Sequence, residues 1–250
     1  MRPRLAVALL AAAFALLAPA CGGGAEPEAA PREAALRALF VGNSLIATND
    51  LPGVVAALAD GAGSGPIEVE TVAPGGVSLE EHWSSTGARE RLEAGGWDAV
   101  VLQQGPSSLP ASRAHLRRWV VRWAGLARSL DVVPALMTVW PETARAASFP
   151  ATISSYAEAA RASGARLLPA GDAWRRALED DPELGLYGSD GLHPSEVGTA
   201  LAALVVFVGL TETPAAALPD GLDLPGVDSP ETARLLHEAA SAATTAASGS

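Results

Sequence analysis

The chain has one cysteine, Cys21, among its 250 residues, so no disulfide can form within it. Positive charge is scarce: 17 basic residues stand against 28 acidic ones, for a net charge of −11. A surface this acidic argues against nucleic acid and anionic lipid head groups as partners. No Gly-x-Ser-x-Gly elbow occurs, which argues against the fold that presents its serine on that turn. Gly61-Ala62-Gly63-Ser64-Gly65 has the spacing of neither a phosphate-binding loop nor a dinucleotide fingerprint. His82, His115 and His237 are scattered, with no His-x-x-x-His pair, so neither a metal site nor a cofactor is expected. No internal repeat is visible. Beyond residue 21 no apolar run reaches the length of a membrane span, and Val197–Leu210 reads as a buried core helix.

At the N-terminus, Met1-Arg2-Pro3-Arg4 precedes an apolar run from Leu5 to Leu17 and then Ala18-Pro19-Ala20-Cys21. A basic start, a short apolar stretch and small residues before the cut describe a secretory signal over 1–20. Its loss would take Arg2 and Arg4 and make the mature chain more acidic still. This leader resembles that of bacterial lipoproteins, whose first mature cysteine carries lipid, although Leu17 lies one residue further from Cys21 than the usual spacing. The resemblance implies lipidation at Cys21, a membrane association through that anchor alone, and an exported protein. Residues 21–35, rich in Gly, Ala, Glu and Pro, read as a flexible tether.

The rest alternates short apolar runs with helical patterns. Strands are predicted at Ala38–Val41, Ile67–Val72, Ala99–Gln103, Val132–Val139 and Arg166–Pro169, rich in the Val, Leu and Ile of parallel strands covered on both faces. Helices are predicted over 53–62, 86–94, 110–130, 150–163, 171–180, 195–209 and 229–245. This order predicts an α/β fold, a three-layer α/β/α sandwich around a five-stranded parallel sheet of flavodoxin-like type. The main domain spans 36–210, and 211–250 forms a surface wrap and a last helix of the same domain. In such sheets ligands sit beyond the carboxyl ends of the strands.

Four segments are expected at that edge. Ser44, in Gly42-Asn43-Ser44-Leu45, follows the first strand, and Gly75-Gly76 follows the second. Gln103-Gln104-Gly105 ends the third, and Ser189-Asp190-Gly191-Leu192-His193-Pro194 precedes the last core helix. A serine hydroxyl is a weak nucleophile near neutral pH. It needs a base for its proton, and the base needs an acid to hold its tautomer. Ser44, His193 and Asp190 supply these three groups. Asn43, His82 and Trp140 are candidates for the walls of a substrate pocket.

These blocks resemble the SGNH (GDSL-type) hydrolase superfamily over roughly residues 37–210. Gly42-Asn43-Ser44-Leu45 matches its first block, with Asn in place of the commoner Asp. Gly76 matches the second, and Asp190 and His193 match the Asp-x-x-His block. The resemblance implies a Ser-His-Asp serine esterase acting without metal or cofactor on short-chain or O-acetyl esters, with a small-molecule or carbohydrate ester as partner. The third block departs from the family's Gly-x-Asn-Asp and reads Gln103-Gln104-Gly105-Pro106-Ser107. Gln104 takes the place of the oxyanion-binding Asn beside the Gly76 amide, with Ser107 and Gln103 as alternatives. That departure leaves room for another reading, a non-catalytic cell-surface lipoprotein that binds carbohydrate or another ligand on the same fold.

Overall fold

A computed structural model of the chain describes residues 35–219 and 221–249. Five strands, β1 (Leu36–Val41), β2 (Ile67–Val72), β3 (Ala99–Leu102), β4 (Val133–Met137) and β5 (Arg166–Leu168), form one all-parallel sheet in the order β2-β1-β3-β4-β5. Every residue of β3 is buried, as expected of a central strand covered on both faces. The edge strand β2 leaves Glu68 and Thr71 exposed, and Glu68 pairs with Arg37.

The helices are α1 (Ser44–Ala47), α2 (Leu51–Ala62), α3 (Leu79–Ser84), α4 (Ala88–Glu93), α5 (Pro110–Ser129), α6 (Phe149–Ser163), α7 (Ala170–Asp180), α8 (Glu196–Thr211) and α9 (Pro230–Ser248). Helix α2 packs against α8 and α5 against α6, which, with the right-handed crossovers that parallel strands adopt, places the first pair on one face of the sheet and the second on the other. Nearly all of α8 is buried, including Leu201, Leu204, Val205, Val206 and Phe207. Each such side chain contributes about 1.5–3 kcal/mol of apolar burial. The last helix, α9, closes the fold by packing Leu236, Ala239, Ala240 and Ala243 against α7 and α8.

The predicted fold class and strand positions match, except that β1 starts two residues earlier than predicted and β3, β4 and β5 are one to three residues shorter. Two short helices were not expected, α1 and α3. The second has a local cause: Ser78 and Glu81 form a reciprocal capping box, Ser78 accepting from the Glu81 amide and Glu81 from the Ser78 amide. On α5, Arg113 pairs with Glu158 and Arg122 stacks over Trp83. Among the described residues, no helix is long and apolar enough to cross a membrane. Cys21, the leader 1–20 and all but the end of the tether lie outside the described residues.

Register carries the fold to the site. Val41 is level with Val72 on one side and Leu102 on the other, so the chain leaves β1, β2 and β3 at one height. The strand order reverses direction between β1 and β3, the crevice where such sheets bind ligands. Ser44 and Gln104 leave the sheet on its two sides.

Candidate active site

The turn that carries Ser44 is built from Gly42-Asn43-Ser44. Asn43 is the N-cap of α1: its backbone is extended and its Oδ1 accepts from the Leu45 amide at 3.2 Å. Ser44 is therefore the first helical residue, where a backbone amide has no partner within the helix. Gln103, fully buried, locks this turn to the loop after β3. Its Oε1 accepts from the Asn43 amide at 2.9 Å, and its Nε2 donates to Asn43 Oδ1 at 3.1 Å. His82 supports the turn from below, donating from Nε2 to the Gly42 carbonyl at 2.7 Å while Nδ1 lies 2.8 Å from Thr86 Oγ1. A carbonyl can only accept, so the Nε2 proton is assigned there and Nδ1 accepts the Thr86 hydroxyl. Burial holds the His82 imidazole below its usual value of 6.5.

The histidine loop precedes α8. Asp190 Oδ1 accepts the amides of Leu192 at 3.0 Å and His193 at 2.9 Å, and Oδ2 lies 2.5 Å from His193 Nδ1. Three bonds to one carboxylate favour its ionised form. The His193 ring contact, followed by the Leu192 and His193 amides, brings Asp190 from 3.8 down to about 2. His193 Nε2 stands 2.8 Å from Ser44 Oγ, across 149 residues of sequence. With Nδ1–H facing Asp190, Nε2 is the acceptor for the serine proton. The three side chains form one continuous relay.

Four successive carbonyls of this loop each receive a donor. Gly191 takes the Thr143 amide at 2.8 Å, Leu192 takes Trp140 Nε1 at 3.0 Å, His193 takes the Gly188 amide at 2.8 Å, and Pro194 takes Asn49 Nδ2 at 3.0 Å. Tyr187 adds a bond from its hydroxyl to the Pro141 carbonyl at 2.8 Å. Gly191 has φ +69, and a Cβ there would sit 2.4 Å from Thr143 Oγ1. Only glycine combines that turn with that approach.

Proton counting separates the candidates for the oxyanion contact. Gln103 Nε2 has two protons and donates both, to Asn43 Oδ1 and to the Gln104 carbonyl. The single Ser107 hydroxyl proton goes to the Gly105 carbonyl at 3.1 Å. Gln104 Nε2 donates one proton to Ser107 Oγ at 3.0 Å and keeps a second. Of the three, Gln104 alone has an amide proton left to offer. Gly76, at φ +72, lies in the exposed turn after β2, beside Val77, whose carbonyl accepts from Asn43 Nδ2 at 3.4 Å.

The three proposed pocket walls are corrected. Asn43 is 6 % exposed and His82 and Trp140 are fully buried; all three brace the site from behind. Trp140 stacks on Trp174 at 3.6 Å beneath the histidine loop. A cavity of about 180 Å³ beside that loop is lined by Pro106, Ser108, Pro141, Glu142, Arg145, Ser148 and Leu192, and not by Ser44, Asp190 or His193. A larger one of about 700 Å³, between β5, α6 and α9, contains none of the site residues. Sequence reasoning missed Asn49, Thr143, Trp174 and Tyr187, whose partners are distant in sequence. No cluster of three metal-ligating side chains occurs among the described residues.

No family model and no curated protein sequence matches the chain. Solved structures do. A chain from Slackia heliotrinireducens, described as an SGNH hydrolase on provisional grounds, is 29 % identical over 71 % of this chain and 100 % of its own, with a TM-score of 0.61. A DUF4886 family protein from Bacteroides uniformis is 18 % identical, covering 85 % of this chain and 95 % of its own, with a TM-score of 0.65. A catalytic mutant of an acetylxylan esterase from Geobacillus stearothermophilus is 16 % identical over 70 % and 94 %, with a TM-score of 0.56. The parallel sheet, its strand order and these likenesses give the chain the fold of the SGNH hydrolases.

Proposed function

We propose that the chain is a carboxylic ester hydrolase that cleaves short-chain acyl esters, O-acetyl groups on carbohydrate among them, with Ser44 as nucleophile. The observation that carries this reading is the relay from Ser44 Oγ to His193 Nε2 at 2.8 Å and from His193 Nδ1 to Asp190 at 2.5 Å. Ser44 Oγ attacks the ester carbonyl as His193 takes its proton. The carbonyl oxygen becomes an oxyanion facing the Ser44 amide, the Gly76 amide and the free proton of Gln104 Nε2. Collapse expels the alcohol, which receives the proton from His193 and leaves an acyl-serine. Water then attacks with His193 again as base, releasing the acid and restoring Ser44. Asp190 stays ionised throughout and holds the ring.

The acetylxylan esterase of the same fold supports an acetyl group on sugar as the class of substrate. Hydrolysis of p-nitrophenyl acetate tests the reading. Ser44→Ala and His193→Ala are each expected to lower kcat by about 10⁵–10⁶; turnover indifferent to both changes would refute it. We also propose export and lipid attachment at Cys21, supported by the leader and the tether-like composition that follows it. Radiolabelled palmitate should enter the parent chain and not Cys21→Ala.

A further inference from the structure

Asp190 and His193 lie three residues apart in one loop, so their contact is local. Ser44 and His193 come from segments 149 residues apart, and their separation must be set by something that joins the two segments. Among the described residues, the hydrogen bonds between 43–50 and 185–199 are the Ser44–His193 contact itself and two from Asn49. Asn49 Nδ2 uses one proton on the Pro194 carbonyl and the other on Thr199 Oγ1, both at 3.0 Å. Pro194 adjoins His193. Thr199 stands in the first turn of α8, and its hydroxyl donates to the Ser195 carbonyl at 2.9 Å, leaving lone pairs to accept from Asn49.

The backbone is shaped to make this reach. Asn49 has φ 54 and ψ 23, interrupting the helical path between α1 and α2. A side-chain-bearing residue in this region costs free energy that the surroundings must offset, and Asn is among the few that tolerate it. A residue that continued the helix there would follow a different path away from the histidine loop.

We infer that Asn49 is a positioning residue, tying the nucleophile turn to the histidine loop and so setting the distance between Ser44 Oγ and His193 Nε2. This inference rests on the proposed hydrolase function. Two variants test it. Asn49→Asp keeps size and tolerance of the left-handed backbone but replaces the donor with oxygens that face the Pro194 carbonyl. Asn49→Gly keeps the backbone and removes the amide altogether.

In both variants kcat for p-nitrophenyl acetate is expected to fall about 10–100-fold, with KM changed by less than about threefold, because small misplacements act on the reacting geometry. The rate of Ser44 phosphonylation by a small alkylphosphonate ester should fall in step. The downfield proton resonance of His193 Nδ1–H against Asp190 should persist, since that contact is internal to the loop. Loss of that resonance would overturn the inference, because Asn49 would then be needed to fold the loop. It would also be overturned if kcat stayed at the parent value in either variant, or if the loss lay in KM. A parent chain that neither turns over the ester nor takes up the phosphonate would overturn the proposed function and this inference with it. A working parent with indifferent variants would overturn this inference alone.

Discussion

The two halves of the site are held by different means. On the Ser44 side, buried side chains grip the backbone: Gln103 and His82 are fully buried and hold Asn43 and Gly42. On the histidine side, the Asp190 side chain is 52 % exposed and that of His193 33 %, and order comes from capping the loop's own carbonyls. Removing a buried polar brace leaves an unpaired partner in a dry place, at about 1–3 kcal/mol. Removing one cap from a surface loop lets water replace it. The Ser44 turn is therefore the stability-critical half, and the histidine loop is the half where geometry can change at little cost to the fold.

That contrast can be broken or sharpened by experiment. Asp190→Asn should have the largest effect after removal of Ser44 or His193 themselves. It keeps the loop's shape but favours the wrong tautomer of His193, so kcat should drop about 10⁴-fold, with the melting temperature lowered only by the part of the ionised carboxylate's contacts that an amide does not replace. A large fall in stability would deny that the loop is held mainly by its backbone. Gln104→Ala should lower kcat about 10²–10³-fold by removing an oxyanion donor. An unchanged kcat in steady-state assays would move the oxyanion contact elsewhere.

Gln103→Leu should cost about 1–3 kcal/mol in urea unfolding, because the Asn43 amide loses its acceptor in a buried place. Tyr187→Phe, which keeps the ring and removes only the hydroxyl bond to the Pro141 carbonyl beside the loop, should cost less, about 1 kcal/mol. If the two costs were reversed, the contrast between the halves would fail.

The pH dependence of stability should separate the halves most finely. His82 is depressed in the folded state by burial. Below its usual 6.5 the unfolded chain takes up a proton that the folded one resists, so stability is lost as pH falls from there. Asp190 is depressed from 3.8 to about 2. Its contribution is present above 3.8 and disappears as pH falls through about 2. His82→Gln, whose amide can still donate to Gly42, should flatten the upper slope only, and Asp190→Asn the lower one. Unfolding free energies measured across the range would show the two windows.

Much of this was legible in the sequence. Strands such as Ala99–Leu102 announce themselves because burial on both faces demands an unbroken apolar run. Ser44, Asp190 and His193 were readable from their placement after β1 and before α8. The bracing residues were not. Trp140 after a strand suits a pocket wall or a core as well, and only the position of Trp174 decides. Gln103 and Gln104 are adjacent and chemically identical, and what separates them is where each proton goes. Asn49 gives no local signal of its reach, because its partners lie 145 and 150 residues away.

The stacked indoles of Trp140 and Trp174 lie nearly coplanar, 2° from parallel. Two chromophores in such contact share their electronic transitions. One of them holds the Leu192 carbonyl next to His193 through its N–H. The protein thus has a built-in optical gauge: if the chain turns over an ester as proposed, a shift of the His193 loop during turnover is expected to change the near-ultraviolet dichroism of this pair, with no label attached.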